Sequence, residues 1–452
     1  MLKRFLVLAI AVLLAFSVCA CKGHDGTADN GSSTDESTLC ERAKENILTN
    51  YRDKFSGRAK ELISKDFLDW IEVSYRSDSI YVLEDELQNG TFSEETWFKI
   101  TDNTIRVLEC YYKGELDPND PDYRNDIREI GVSDGETIIR IVGDVSLADN
   151  WKIAPMIDSR KKGILGVLSE ETVELLKTAD ITLLNNEFTF SKRGEPIPNK
   201  YYTFRADPSR VELLHEIGTD IVSLANNHAF DFGEDAFLDT LETLKNAGIQ
   251  YVGGGKDIAE AVKPQYYIVG GRMVAFTAAT RAEKYILTPE ADNSSPGVLR
   301  TYNPERYMTV IAKAEKECDY NIVYVHWGAE GSHEIEKGLP EMGKGFIDSG
   351  ADAVIGAHAH VLQGIEFYKG KPIVYNLGNF IFNAKTMDTG IFEISWDDGL
   401  DVYLRFIPCV QSGCYTKVVH GSESKRVLDF IESLSINVTI DENGVITEKK
   451  EG

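Results

Sequence analysis

The sequence predicts an α/β fold with a substantially parallel sheet. Two observations predict it. From Glu136 onward, short and nearly continuous apolar runs alternate with amphipathic segments of helical spacing, the pattern of strands covered on their faces by helices. Polar residues able to bind metal recur where these apolar runs end, and α/β sheets place their ligands at strand carboxyl ends. A chain of 452 residues with 42% hydrophobic and 27% charged residues has globular composition.

Before Glu136 the chain has a different character. Lys3 and Arg4 precede an apolar run from Phe5 to Phe16 and then small residues, the layout of a secretory signal. The run is too short for a comfortable transmembrane helix. Its end, Val18-Cys19-Ala20-Cys21, resembles a bacterial lipobox. That resemblance implies a signal peptide over residues 1–20 and a lipid on the Cys21 thiol. The protein would then be an extracytoplasmic lipoprotein of the bacterial cell envelope, held at the membrane. The alternative is an ordinary secretory signal with incidental cysteines. The net charge is −25, and −27 once the two positive charges of Lys3 and Arg4 are removed. Anchoring would therefore rest on acyl chains and not on a basic patch. The same acidity argues against a nucleic-acid partner.

Residues 21–38 contain no large apolar side chain beyond Cys21 and read as a flexible tether. Residues 39–135 carry apolar residues at helical spacing and read as a mostly helical region, closed by the loop signal ELDPNDPDYRND. From Glu136 the strand candidates are TIIRIVG, DITLLN, DIVSLAN, IQYVGG, RMVAFTA, NIVYVHW, ADAVIGAH and KPIVYNLG. Helices fall between them at SEETVELLKTA, PSRVELLHEIG and EDAFLDTLETLKNAG. In the last, Phe237, Leu241 and Leu244 share a face and Gly248 is the stop. Residues 136–390 form the main domain. Residues 391–452 are a β/α extension of it, with hairpins at Asp398-Gly399 and Asp441–Gly444 and a helix near Lys425–Leu434.

With Cys19 discarded and Cys21 lipidated, five cysteines remain, an odd number. Cys409 and Cys414 flank four residues, short enough for a hairpin-closing disulfide in an oxidising compartment. The chain has no Cys-x-x-Cys pair, which argues against a thiolate zinc site.

Five strand ends carry the chemistry. They are Gly143-Asp144, Asn185-Asn186-Glu187, Asn226-Asn227-His228, His326-Trp327-Gly328 and His358-Ala359-His360. Carboxylates, an amide and several imidazoles can hold two divalent cations, with a carboxylate bridging and neutral imidazoles donating nitrogen lone pairs. If residues 358–360 are extended, His358 and His360 lie on one face and reach one cation or two. Taken singly each group has a plainer reading, Asp144 as a helix cap and Asn226-Asn227 as a turn. Their recurrence at five strand ends favours one site. His24, His215, His333 and His420 fall in the tether, a helix, a loop and the C-terminal region, away from that pattern. His228 and Asp231 stand three apart. Asp231 can accept from one imidazole nitrogen, leaving the other to protonate a departing oxygen. Asp231 as the cap of the helix starting near Glu234 is the alternative.

The motifs VGDVSLAD, LLNNEFTFS, YYTFRADP, SLANNHAFDFG, YVGGGKDIAEAVKP, VYVHWGAEG and SGADAVIGAHAHVLQGIEFYKGKPIVYNLGNFIF follow one another from Ile138 to about Phe382. In that order they resemble the capsule-synthesis CapA, or poly-γ-glutamate synthesis, family, a branch of the calcineurin-like metallophosphatase superfamily. The resemblance implies a four-layer α/β/β/α sandwich. It implies metal ligation by Asp144, Glu187, Asn227, His326, His358 and His360, and catalysis by His228 as general acid paired with Asp231. The cofactor would be two divalent ions, Mn, Zn or Fe ahead of Mg because three imidazoles suit transition ions. The chain departs from the superfamily in three places. Ser146 stands where a histidine is usual, Glu187 replaces an aspartate, and Ala229 replaces a glutamate.

The function expected is a metal-dependent hydrolase acting on a cell-surface polymer or its phosphorylated intermediate, with membrane synthase subunits as further partners. Water would attack a phosphorus or carbonyl centre. Two rivals stand beside it: a non-catalytic polymer-binding or synthase-scaffolding protein with a degenerate metal site, and a surface nucleotidase or phosphoesterase. Arg205, Arg281 and Lys284 are candidates for substrate anions. Asn379, with Asn376, is a candidate lining residue, a structural turn being the other reading of YNLGNF.

Overall fold

Two mixed β-sheets carry the molecule's polar centre. The computed structural model describes residues 127–130, 136–159, 163–270, 272–282, 288–397 and 401–449. The signal, the tether, Cys21 and all of the expected helical region except residues 127–130 lie outside the described residues, and those four form a strand, β1 (Ile127–Ile130). The centre lies wholly within the unit made of Glu129–Gly270, Val274–Glu315 and Tyr320–Gly452.

The expected strands form where their apolar runs lie. In chain order the strands are β2 (Thr137–Val145), β3 (Ile181–Asn186), β4 (Ile221–Ser223), β5 (Gln250–Val252), β6 (Gln265–Val269, outside the expected set), β7 (Arg272–Thr280), β8 (Tyr320–Trp327) and β9 (Ala353–His358). They are followed by β10 (Leu362–Tyr368), β11 (Lys371–Leu377), β12 (Asn379–Ile381), β13 (Met387–Trp396), β14 (Val402–Ser412) and β15 (Tyr415–Val418). A seven-stranded sheet has the order β1-β6-β7-β8-β9-β11-β10, and an eight-stranded sheet the order β15-β14-β13-β2-β3-β4-β5 with β12 beside β2. Pairing is parallel from β2 through β5 and from β7 through β9 to β11. The C-terminal strands β13, β14 and β15 pair antiparallel. Strand β13 runs across the boundary expected at residue 390.

Helices α1 (Ala154–Ser159), α2 (Glu170–Lys177), α3 (Glu212–Ile217), α4 (Glu234–Ala247), α5 (Pro304–Glu317), α6 (Leu339–Asp348) and α7 (Gly421–Leu434) connect or flank the strands. Their ends follow local chemistry. Ser169 caps α2 by accepting from the Thr172 backbone N–H, with Glu170 and Glu171 in the first turn and Lys177 in the last. Gly248 ends α4 in the left-handed conformation at φ 78°, its N–H returning to Leu244 and Lys245 carbonyls.

Among the described residues, three apolar clusters hold these elements. One draws on both sheets, with Ile139 and Leu183 from the eight-stranded sheet and Phe276, Ile322 and Ile355 from the seven-stranded one. Another joins Val142, Leu184 and Val222 to Leu176, Leu214, Phe237, Leu241 and Leu244 of the helices. A third joins Val323, Val325 and Val354 to Tyr307, Ile311 and Phe346. Burying a side chain such as Phe237 contributes roughly 1.5–3 kcal/mol, so each cluster outweighs any single polar contact at the strand ends.

The expected Cys409–Cys414 disulfide does not form, and both thiols are free and buried. The hairpin register explains this. Cys409 pairs across from Val418 and the turn closes between Ser412 and Tyr415, so the two cysteines are not opposed. The Cys409 thiol meets the Ile407 carbonyl and the Cys414 thiol the Lys152 carbonyl.

Candidate metal centre

Parallel order brings the strand ends together. Asp144 lies near the end of β2, Asn185 near the end of β3 with Glu187 just beyond it, and Asn226 to His228 follow β4, while His326 lies near the end of β8 and His358 ends β9. A close approach completes the rim. A Cβ on Gly143 would sit 2.0 Å from the Gly378 carbonyl oxygen. Only glycine therefore lets β2 pass this turn, where the Asp144 N–H donates to Gly378 at 3.1 Å. Asn379 then lies in register with Asp144.

The six expected ligands converge. Glu187, His326 and His358 offer ligand atoms within 4.8 Å of one another, as do Asp144, Glu187 and His360. Glu187 belongs to both groups. Asn227 Oδ1 stands 2.8 Å from His326 Nε2, which stands 3.0 Å from His358 Nδ1. The backbone corrects one expectation. Residues 358–360 are not extended, because His358 and His360 adopt φ of 97° and 60°. Such left-handed conformations are costly for residues with a Cβ and cluster at functional sites. The turn sends the two rings to different donor groups.

The donor chemistry fits a bound cation. Glu187 Oε1 is buried with no hydrogen-bond partner, and it lies 3.8 Å from His326 Nε2 and 3.9 Å from each of His228 Nε2 and His360 Nε2. Donors bound at ordinary metal distances to one tetrahedral ion lie about 3.4 Å apart. The protonation pattern agrees. Burial pushes the Glu187 carboxyl well above its usual range, and neighbouring Asp144 adds to this. Burial would raise Asp144 too, but the hydrogen bond and charge of His360, and then His326, hold it well below the carboxylate range. Burial, then the charge of His358, drives His326 well below its ordinary value. Burial and then His360 push His358 down to about 3. Burial lowers His360, but the hydrogen bond and charge of Asp144 outweigh it and raise the imidazole. The neutral His326 and His358 imidazoles beside the Asp144 carboxylate are a ready ligand set.

Beside this set, His228 Nδ1 donates to Asp231 Oδ2 at 2.6 Å. Asp231 is not the cap of α4, whose N-cap is Gly233. It also accepts from the Phe204 N–H at 2.6 Å and pairs with Lys200 Nζ at 2.9 Å. The ring is thereby fixed with Nε2 turned toward Glu187.

Asn185 and Asn226 stand at strand ends the sequence singles out, but their orienting roles, and Lys200 altogether, escape sequence reasoning. Asn185 Nδ2 stands 2.9 Å from Asp144 Oδ1, 3.1 Å from Glu187 Oε2 and 3.2 Å from His326 Nδ1, so two amide protons serve three acceptors. Asn226 supports it, donating to Asn185 Oδ1 at 3.0 Å and accepting from the His228 N–H. Lys200 sits on a loop without periodicity. Asn185 lies in LLNNEFTFS and Asn226 in NNHAFDFG, whereas only proximity to YYTFRADP hinted at Lys200. Ser146, at the departure from the superfamily, has a buried hydroxyl without a hydrogen-bond partner.

The anion candidates fare differently. Arg205 Nη1 donates to the carbonyls of Arg193 and Gly194, and its guanidinium lies over Phe232 at 4.2 Å, so it fastens a loop. The Arg281 guanidinium lies 5.0 Å over Tyr302, and Lys284 is outside the described residues. Asn376 makes a turn by accepting from the Gly378 N–H at 3.0 Å, whereas Asn379 touches His360. His333 lies on a loop beside a cavity of about 400 Å³ shared with Met387, Arg426 and Phe430.

Parallel strands ending in this donor set define a metallophosphatase-like protein. Residues 139–384, more than half of the chain, match the family described as Bacterial capsule synthesis protein PGA_cap, and the chain belongs to that family, a metallophosphatase-like branch. It is 31% identical over 244 residues to the Capsule biosynthesis protein CapA of Bacillus anthracis, covering 52% of this chain and 59% of that protein. It is 30% identical over 212 residues to the PGA biosynthesis protein CapA of Bacillus subtilis (strain 168), covering 46% and 55%. The chain thus spans somewhat over half the length of these relatives.

Proposed function

We propose that this chain is a lipid-anchored, metal-dependent hydrolase of the bacterial envelope. It acts in capsule or poly-γ-glutamate-like polymer synthesis, on the polymer or a phosphorylated intermediate. The observation that carries the reading is the pair of donor groups sharing Glu187, with a fixed His228–Asp231 pair aimed at the shared carboxylate. The relatives' names, for capsule and PGA biosynthesis, support the setting. The four-layer α/β/β/α arrangement belongs to this reading and is supported by the three apolar clusters. So do two divalent ions, Mn, Zn or Fe before Mg, one on Asp144, Glu187 and His360 and one on Glu187, Asn227, His326 and His358. The lipid on Cys21 holds the protein at the membrane, near synthase subunits.

Bound cations would supply Lewis-acid charge stabilisation. The remaining work belongs to the chain. Asp231 keeps the proton of His228 Nδ1 engaged, and Lys200 and the Phe204 N–H keep Asp231 from turning. His228 Nε2 then gives its proton to the departing oxygen. Phe204 and Phe382 lie tilted against His228 and His360, with ring centroids 4.5 and 4.6 Å apart, and cover one side of each ring.

The second reading is a polymer-binding or synthase-scaffolding protein, favoured by the unpartnered Ser146 hydroxyl in place of a ligand. A surface nucleotidase or phosphoesterase is the third. Metal analysis of the purified protein with a phosphodiester and γ-glutamyl substrate panel tests these readings. Hydrolysis that stops on chelation and returns with Mn supports the enzyme. A metal-loaded protein inert on the whole panel, yet retaining polymer, supports the scaffold.

A further inference from the structure

We propose that Tyr201, Tyr202 and Trp151 form a stacking subsite for the leaving-group side of the substrate, and that this group carries a ring, a nucleobase or a hexose. The inference rests on the hydrolase reading and narrows its substrate to a phosphate ester.

Tyr201 and Tyr202 are 89% and 51% exposed, the two most exposed large hydrophobic side chains among the described residues, and they are adjacent. A lone exposed tyrosine is ordinary, but these begin a continuous path of rings. Tyr201 meets Tyr202 at 4.6 Å, Tyr202 meets Trp151 at 5.6 Å, and Trp151 meets Phe204 at 4.9 Å. Phe204 meets His228 at 4.5 Å and Phe382 at 5.5 Å, and Phe382 meets His360 at 4.6 Å. The path runs from solvent to the proton donor and to a metal-competent histidine.

The segment bearing these tyrosines is held to the same centre. The Ile197 N–H donates to the Asp231 carbonyl at 2.9 Å, Lys200 pairs with the Asp231 carboxylate at 2.9 Å, and the Phe204 N–H donates to that carboxylate at 2.6 Å. The tyrosines are thus placed relative to His228, the group that meets the leaving oxygen. Aromatic faces bind other ring faces by stacking, with tolerance for ring identity. A run of carboxylates has no ring face to stack. The ridge therefore fits a ring-bearing phosphate ester better than a polyanionic chain. In the step served, the oxygen of water bonds to phosphorus and the ester P–O bond breaks. The departing oxygen takes the proton of His228 Nε2, and water replaces that proton. Ester and water become ring-bearing alcohol and phosphate.

The test uses the full chain, Mn-loaded, with adenosine monophosphate, glucose 6-phosphate and ringless glycerol phosphate. The double variant Tyr201→Ala/Tyr202→Ala should raise KM about tenfold for one or both ring-bearing esters, with kcat nearly constant, and should not shift KM for glycerol phosphate in parallel. Whichever ester responds more identifies base or hexose. Equal KM in wild type and variant for both ring-bearing esters, or a parallel shift on glycerol phosphate, overturns the inference. If no ester is hydrolysed, the hydrolase reading fails separately, and equilibrium binding of the two ring-bearing esters decides. Weaker binding by the variant upholds the subsite. Equal binding, or none by wild type, overturns it.

Discussion

Glu187→Gln removes one negative charge at almost constant volume from the carboxylate common to both donor groups. Without metal that carboxylate is a liability, since Oε1 is buried without a partner and burial, then Asp144, raises the carboxyl well above its ordinary 4.5. A buried unsatisfied polar group costs on the order of 1–3 kcal/mol. The sign of the pH effect follows. A group whose folded pKa is raised supports folding below its unfolded pKa and loses that support as pH rises through the folded value. Above about pH 4.5 the metal-free wild type therefore loses stability that the glutamine variant does not. At pH 8 the metal-free variant should melt at or above wild type, by roughly 2–4 °C per kcal/mol. Excess Mn should reverse the order. A cation at a hundredfold its Kd stabilises by about 2.7 kcal/mol, and the variant lacks the charge on which both groups depend. Differential scanning calorimetry with chelator and with Mn, beside elemental analysis, reads both arms. A variant that melts below wild type without metal and gains as much as wild type with Mn would refute the reasoning.

Three further outcomes follow. His358→Ala and His360→Ala should each lower bound metal while the domain stays folded, since each removes a nitrogen donor and little core. Unchanged stoichiometry by elemental analysis in both would remove them from the ligand set. Metal binding requires Glu187 as a carboxylate, against the upward push of burial and Asp144, so binding should be coupled to proton release. Calorimetric titrations in buffers of different ionisation enthalpy should then give different apparent heats, and identical heats contradict this. Cys21→Ser should release the protein from membranes, and a variant still sedimenting with membrane after a high-salt wash would overturn the lipid anchor.

Much of this centre was legible because parallel strands share an end. Once TIIRIVG, DITLLN, NIVYVHW and ADAVIGAH are read as parallel strands, Asp144, Glu187, His326 and His358 must gather at one edge. The helix of Phe237, Leu241 and Leu244 was legible through its period and its glycine stop. What depends on neighbours across the sheets was not. The orienting role of Asn185 needs the positions of Asp144 and His326, 41 and 141 residues away. The partner of Lys200 is set by a loop with no period to read. The His358-x-His360 spacing suggested an extended pair, but tertiary contacts hold both in left-handed conformations. Cys409 and Cys414 are near in sequence, yet hairpin register separates them.

On the proposed reading His228 performs chemistry and does not mainly hold metal. Turnover of a metal-loaded His228→Asn variant on a hydrolysed substrate tests it most directly, read beside its metal content and thermal stability. Near wild-type metal and stability are expected, with turnover reduced by roughly 10²–10⁴-fold, the range for losing a general acid. A stable, metal-loaded His228→Asn protein with undiminished turnover, or one that fully restores the capsule of a deletion strain, would contradict it.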